Sequence, residues 1–493
     1  MTGNTINRRP ARMGAALAAM SIGTLMLAGA PYRADAATQP DPASVVVSGA
    51  TPFAACADAS RVPNTEFEPW LATRPHDPRR LAVGWQQDRS TTGAARGGIV
   101  VATSRDAGRT WAGSPLPGLT KCSGGTFTST SNPAVAYATD GRLFAVAMAM
   151  SFGNVTAVLA YRSDDDGSTW TGPAALTQDP SPAYFNDRPS VTTDPRSPSR
   201  AYVVWNRARA EDNQHQLMFS RTLDGGVTWE PARPIYEPAD AGAGTVGNQI
   251  VVEPNGDLVE LFYEGDFPVA GPPTPALASR IRSVRSTDGG TTWSAPVTVT
   301  TTVVNDPLLP DVTSPVSARG LIPDIAVDRR TGALYAVWGD GSLATSRSSI
   351  GLSASFDGGR HWTRPIRVDK SPQSPPGGAG QAFLPQVDVD DDGNVAVTYH
   401  DFRNNTPDPG APTDVWMVTC RSLLCAGLPG LWRERHLAGP FDIEKAATWS
   451  GAPFLGTSVG LGHTRAGFYA ALVLTNDTPD NPQDIHVVRA PSP

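Results

Sequence analysis

Short apolar runs recur along the chain in pairs, each pair separated by a turn rich in Gly, Asp or Pro. PAVAYATDGRLFAVAMAM, RPSVTTDPRSPSRAYVVW, NQIVVEPNGDLVELFY and IPDIAVDRRTGALYAVW show the pattern. EPWLATRPHDPRRLAVGW near residue 75, LPQVDVDDDGNVAVTYH near 390 and TSVGLGHTRAGFYAALVL near 460 repeat it. Runs this short, rich in β-branched residues and bounded by turn formers, predict antiparallel strand pairs rather than helices. Gly and Pro make up about one residue in five, which also argues against long helices.

A second pattern follows several of these pairs. SRDAGRTW (104–111), SDDDGSTW (163–170), TLDGGVTW (222–229), STDGGTTW (286–293) and SFDGGRHW (355–362) share Ser/Thr-x-Asp-x-Gly-x-x-Trp, with tryptophans 59, 59, 64 and 69 residues apart. A tight turn between strands needs a carboxylate to accept backbone N–H groups, a Gly able to take positive φ and an aromatic ring to seal the hairpin. Asp106, Asp165, Asp224, Asp288 and Asp357 are therefore read as structural, and each Trp is expected to pack into its own repeat.

Five copies of this pattern resemble the Asp-box, or BNR, repeat of the sialidase-like β-propeller superfamily, and the resemblance covers nearly all of the chain after residue 36. It implies an all-β propeller. Seven repeats of about 65 residues suit seven four-stranded blades, with the six blades of true sialidases as the alternative. The last repeat stops after its third strand, DIHVVRA (484–490), so SVVVSG (44–49) is expected to supply the outer strand and close the ring.

Composition narrows the rest. Net charge is −7, with no basic run after the first dozen positions, which sets nucleic-acid binding aside. Arg8, Arg9 and Arg12 precede an apolar stretch from Met13 to Ala30, and Ala34-Asp35-Ala36 offers a cleavage site. Residues 1–36 are expected to be a signal peptide, and 37–493 a single propeller domain, secreted and monomeric. No later segment is apolar enough to span a bilayer. Four cysteines in an exported chain allow three pairings; Cys420 and Cys425 can close a local loop, leaving Cys56 for Cys122. In the sixth repeat that local loop stands where the others carry the Asp pattern.

In a propeller, the loops leading into each innermost strand share a face with those joining second to third strands, and the Asp turns lie opposite. That rule gathers Glu66, Glu68, Asn132, Asn186, Asp187, Arg188, Asn248, Gln249, Asp324 and Gln386 from the first set. The ends of the second strands add Gln86, Asp88, Arg89, Asn206, Arg207, Tyr263, Glu264, Asp266, Asp340, His400, Asp401, Arg403, Asn476 and Asp477. By resemblance to sialidases, Arg188, Arg207 and Arg403, with Arg89, would bind a substrate carboxylate. Tyr263 with Glu264 would supply the nucleophile, and Asp401 and Asp187 the further carboxyl groups.

Two departures stand against a sialidase. Where the family has Phe/Tyr-Arg-Ile/Leu-Pro this chain reads Phe67-Glu68-Pro69-Trp70, and Ser90 to Gly98 contains no carboxylate. A Glu in place of that Arg repels a substrate carboxylate. Asp388-x-Asp390-x-Asp392-Gly393 resembles half a calcium loop, but position twelve is Tyr399, so no metal and no cofactor are expected. The function expected is a secreted, sialidase-like glycoside hydrolase acting on extracellular glycans. A non-catalytic binding propeller and a polysaccharide lyase are the alternatives.

Overall fold

A computed structural model describes Met1 and residues 44–493, apart from 59, 91–92, 241, 267–277, 311–313, 319, 321, 344, 346, 374–377, 407 and 422. The expected signal peptide and its cleavage site lie outside the described residues. Among those described, the structure is all-β with a few short 3-10 turns and no α-helix.

The strands pair as consecutive four-stranded antiparallel meanders. The first comprises Glu66–Thr73, Leu81–Ser90, Gly93–Ser104 and Ala112–Pro115, and the second Ser129–Tyr137, Leu143–Ser151, Val155–Ser163 and Thr171–Pro180. The third runs through Tyr184–Thr193, Ala201–Arg209, Gln214–Thr222 and Arg233–Tyr236, and the fourth through Ala243–Val252, Leu258–Asp266, Arg280–Ser286 and Val297–Thr301. The fifth holds Asp324–Val327, Leu334–Gly339, Ile350–Ser355 and Ile366–Arg367, and the sixth Phe383–Val389, Val395–Asp401, Pro412–Cys420 and Arg433–Asp442. The last joins Gly460–Thr464, Gly467–Thr478 and Asn481–Ala490 to Ser44–Val46, with Ser44 opposite Val488 and Val46 opposite His486. Single residue pairs, Ala95 with Thr130 and His215 with Gly244, link first to second and third to fourth meander. The arrangement is that of a β-propeller.

Apolar side chains fill the spaces between consecutive meanders. Ile99 and Val101 of the first pack with Val135 and Leu159 of the second; Phe144 and Val158 of the second pack with Val203 and Trp205 of the third. The same cluster that joins Met417 of the sixth to Leu472 of the last also contains Val83 and Trp85 of the first.

The repeated turns sit between third and fourth strands, as their pattern implies. In the first, Asp106 accepts backbone N–H bonds from Arg109 (3.0 Å) and Thr110 (2.9 Å) and a bond from the Thr110 hydroxyl (2.7 Å). Asp165 and Asp224 do the same for Thr169 and Thr228. The threonine hydroxyl, then the backbone N–H, holds Asp106, Asp165 and Asp224 down to about 2.

The tryptophans, however, are not confined to their own repeats but sit at the joint with the preceding one. Trp229 of the third meander meets Phe144 of the second edge-on at 6.2 Å, and Trp293 of the fourth meets Phe219 of the third at 5.4 Å. Trp170 and Trp362 donate indole N–H bonds of 3.2 Å to Ser114 and Ser283, each in the preceding meander. Gly226, at φ 81°, brings the turn so near that a Cβ there would lie 2.7 Å from the Phe144 ring. Each turn therefore lands on its neighbour, because a ring at the end of a twisted hairpin projects beyond its own sheet.

Both expected disulfides, Cys56–Cys122 and Cys420–Cys425, are formed. The second holds the sixth meander's corresponding loop, where Trp432 is buried and donates to the Cys425 carbonyl at 3.1 Å.

Innermost strands line an axial channel of about 230 Å³, among them Val135, Val191, Ile250, Val387 and Gly460. At its end on the side of the repeated turns, His463 is ion-paired with Asp388 at 2.7 Å and faces Asp391 at 3.7 Å. Asp390 binds Asn394 and the Asp392 N–H, so the segment resembling a calcium loop is an acid-anchored turn.

Two tests follow from this packing. Trp229→Ala, half-buried, should destabilise the protein by roughly 2 kcal/mol in denaturant unfolding, and combining it with Phe144→Ala should cost less than the sum of the two, since they share one contact. Burial opposes charge on His463, but Asp388 and Asp391 prevail and raise it to about 10. A folded value above the unfolded one stabilises fully below about pH 6.5 and is lost as pH rises towards 10. The melting-temperature gap between the natural protein and His463→Gln should accordingly shrink over that interval, and a constant gap would contradict the assignment.

Candidate functional site

Five innermost strands carry the same irregularity near their start. Register slips between Phe67 and Trp70, Ser131 and Ala134, Asp187 and Ser190, Val246 and Gln249, and Phe383 and Gln386. Inside each bulge one residue has positive φ: Glu68 at 52°, Asn132 at 48°, Arg188 at 54°, Gly247 at 73° and Leu384 at 53°. A bulge re-aims its side chain, and non-Gly residues hold positive φ only where the surroundings impose it. Glu68, Asn132, Arg188 and Gly247 thereby converge on a constriction of the channel together with Ile322 and Ser458.

Above that constriction, on the face away from the repeated turns, opens a cavity of about 570 Å³. Glu68 is its fixed point. One carboxylate oxygen accepts from the Thr457 hydroxyl (2.6 Å) and N–H (3.2 Å), the other from Asn132 (3.0 Å) and Gln86. Arg188 reaches the same Thr457 hydroxyl at 2.6 Å, and its Nε stands 4.0 Å from Asp187. Asp187 is half-buried and lines the cavity, together with the buried Asn206 and the half-buried Arg96 and His215; burial pushes His215 down to about 4, so it is neutral at pH 7.

The remaining walls are apolar. Met148, Met150, Phe152 and Phe185 form one side. Phe67, Phe454 and Trp449 form another, Phe454 lying 5.7 Å from Phe67 and 5.6 Å from Trp449 between ring centroids. Behind these rings lies the Arg89 guanidinium, 4.4 to 5.0 Å from all three centroids and 1% exposed. Burial lowers Arg89 to about 10, against the opposing pull of Glu68.

Of the residues given catalytic or binding roles from the sequence, Asp187 and Arg188 line this cavity and Arg89 backs it, while Arg207, Tyr263, Glu264, Asp401 and Arg403 are engaged elsewhere; Glu68, Asn132 and Asn206, read onto the same face without a role, also line it. Arg207 makes a two-point pair with Asp179 (2.7 and 2.8 Å) and stacks on Tyr184. Tyr263 is buried with its hydroxyl 2.8 Å from Ser279. Glu264 is held by Arg282 (2.7 Å), Arg280 (3.3 Å) and the Tyr236 hydroxyl. Asp401 is buried against Arg403 (2.7 Å) and Trp416 (3.0 Å), while Arg403 also binds Glu434 and stacks on Trp416. Partners from third and fourth strands thus take up second-strand ends that the topology alone points towards the mouth. Glu68 was visible as a face residue, but its place at the floor was not assigned; the repeated Glu68-Pro69, Asn132-Pro133 and Arg188-Pro189 is the signal that marks it. Nothing in the sequence pattern indicated Trp449 or Phe454, and Thr457, which opens the last repeat, was not singled out.

Among the described residues no group of His, Cys, Asp and Glu is placed to hold a metal ion, and no helix is long and apolar enough to cross a membrane.

Fold and site together define a repeat-built β-propeller with a cavity at one end of its axis. The chain belongs to the BNR repeat-like domain family, whose model matches residues 79–404. No curated protein matches it. Among solved structures it is similar to a Hadza microbial sialidase, at 13% identity over 83% of this chain and 76% of that one, TM-score 0.47. An α-L-arabinanase of Penicillium chrysogenum matches at 13% identity over 73% and 94%, TM-score 0.46. An α-L-arabinofuranosidase of Fusarium graminearum matches at 12% identity over 91% and 97%, TM-score 0.45.

Arg89 fills the space behind three rings, so Arg89→Ala should leave a void and lower stability by about 3 kcal/mol in denaturant unfolding. A loss below about 1 kcal/mol would show that the aromatic wall stands without it.

Proposed function

We propose that the cavity is the active site of a glycoside hydrolase. The observation that carries this reading is that Glu68 and Asp187, two carboxyl groups from the starts of the innermost strands of the first and third meanders, line one cavity with aromatic and polar walls. Glycosidic cleavage uses two such groups on opposite sides of the bond. Asp187, whose side chain faces the cavity, acts as the proton donor to the leaving oxygen. Glu68, fixed by four donated bonds, stabilises positive charge developing at the anomeric carbon. Arg188 and Asn132 orient the sugar hydroxyls, and the partly exposed Trp449 ring, backed by Phe67 and Phe454, packs against the sugar.

The same reading takes residues 37–493 as one secreted, monomeric domain with seven blades, closed by Ser44–Val46. Its support is the shared core of the last and first meanders and the pairing of Ser44–Val46 with Asn481–Ala490. A binding propeller is the second reading, favoured by the internal donors that occupy both Glu68 oxygens.

A panel of chromogenic glycosides and acidic polysaccharides decides between them. On whichever substrate is cleaved, Asp187→Asn and Glu68→Gln should each lower turnover at least about a hundredfold with an unchanged melting temperature. Normal turnover in both removes them from the mechanism. Tight glycan binding by the natural protein with no cleavage across the panel establishes the binding reading instead.

A further inference from the structure

The loop at 421–433 departs from every other turn between third and fourth strands. Leu423, Leu424, Leu428 and Leu431 are 49%, 65%, 50% and 41% exposed, four of the eleven large apolar side chains exposed among the described residues. They fall within nine residues. Singly exposed leucines are ordinary, whereas a cluster at one tip marks a surface meant to meet something apolar.

The loop cannot fold these leucines inward. Its inner side is already occupied by Cys425, Ala426 and Trp432, all buried against the core between fifth and sixth meanders, and the Cys420–Cys425 bridge ties it to the strand. Lys370 fastens its far side through a 2.8 Å bond to the Pro429 carbonyl. The tip is a braced apolar knob.

The knob itself is bordered by cations, and Glu434, which follows it, is taken up by Arg403. Arg421 and Arg433 flank it, both exposed, and no acidic residue occurs between them, although the chain as a whole carries −7. Leucines able to enter a hydrocarbon boundary, bordered by cations at headgroup level, match an anionic bilayer surface. A second copy docked knob to knob would bring like charges together.

We propose that the 421–433 loop is a membrane-docking tip that seats the propeller on anionic lipid by inserting its leucines, with Arg421 and Arg433 on the headgroups. It rests on no part of the glycosidase reading. The tip belongs to the end of the ring that carries the repeated turns, so docking leaves the cavity open to the medium.

The test is cosedimentation of the full chain with vesicles of phosphatidylglycerol and phosphatidylcholine, against vesicles of phosphatidylcholine alone. The expected result is preferential binding to the anionic vesicles, weakened by added salt. Combined Leu423→Ser, Leu424→Ser and Leu428→Ser should reduce it at least about fivefold, with no change in melting temperature because those side chains are exposed. Combined Arg421→Gln and Arg433→Gln should remove the anionic preference while every leucine stays in place, which keeps the test decisive if the leucine variant fails to fold. Equal sedimentation of the natural chain with and without vesicles overturns the proposal. So does a dimer in light scattering that the leucine changes dissolve while no vesicle binding is seen; the knob is then an interface between copies.

Discussion

The joint between consecutive meanders is the interaction on which the structure depends. In the second to fifth meanders an acid-anchored turn closes the outer hairpin, and its Trp lies on an aromatic ring or a serine of the meander before it, as Trp229, with Gly226, lies on Phe144. Arginines from the preceding meander reinforce the contact: Arg162 donates to the Gly225 carbonyl at 3.3 Å and Arg105 to the Ser168 hydroxyl at 3.2 Å. Where first meets last, Tyr469 takes the same part, its hydroxyl 3.5 Å from the Ala107 carbonyl. A meander alone could not bury both faces of its sheet, so the joint turns marginal units into mutual cover. The Asp carboxylates are exposed or partly exposed and contribute by shaping the turn; the burial lies in the rings that the turn delivers.

Fixing the outer joints fixes what happens at the axis. Innermost strands held at regular intervals leave a narrow channel, and a bulge near the start of five of them re-aims the chain there, bringing Glu68, Asn132 and Arg188 to its constriction. This explains why a Glu, an Asn and an Arg in positive-φ backbone occupy equivalent positions: the ring supplies the constraint that the residues themselves do not favour. Their strain is held by Thr457 and Gln86 through bonds to Glu68, so floor and ring brace one another.

The repeat, the all-β class, the turn chemistry and both disulfides were legible in the chain because each is local or periodic. So was the face that carries the cavity. The identity of its lining was legible only in part. Asp187 and Arg188 sit in the bulge itself and were read correctly onto that face, whereas Glu264 and Asp401 stand at second-strand ends whose direction depends on Arg282, Tyr236, Arg403 and Glu434 from neighbouring strands. Sequence position gives the strand end but not the register of the strands beside it. Trp449 and Phe454 escaped for a related reason: they lie in the non-repeating stretch between the sixth and last meanders, where no period predicts a place; Thr457 opens the last repeat as Glu68 opens the first, but a Thr there carried no signal of chemistry.

That same stretch makes the cavity polar on its floor and apolar on its walls. Phe454 and Trp449 close over Phe67, and Arg89 is sealed behind them where it faces Glu68 through a medium with little water. A carboxylate balanced by a buried guanidinium on one side and by Thr457, Asn132 and Gln86 around its oxygens is already oriented before anything enters the cavity. Dipoles set in advance need no reorganisation when charge develops beside them, and in a site of low polarity they act more strongly than they would in water. The aromatic wall therefore does two things at once: it offers a flat apolar surface to whatever occupies the cavity, and it keeps water from the back of the one group whose charge the floor is built to hold.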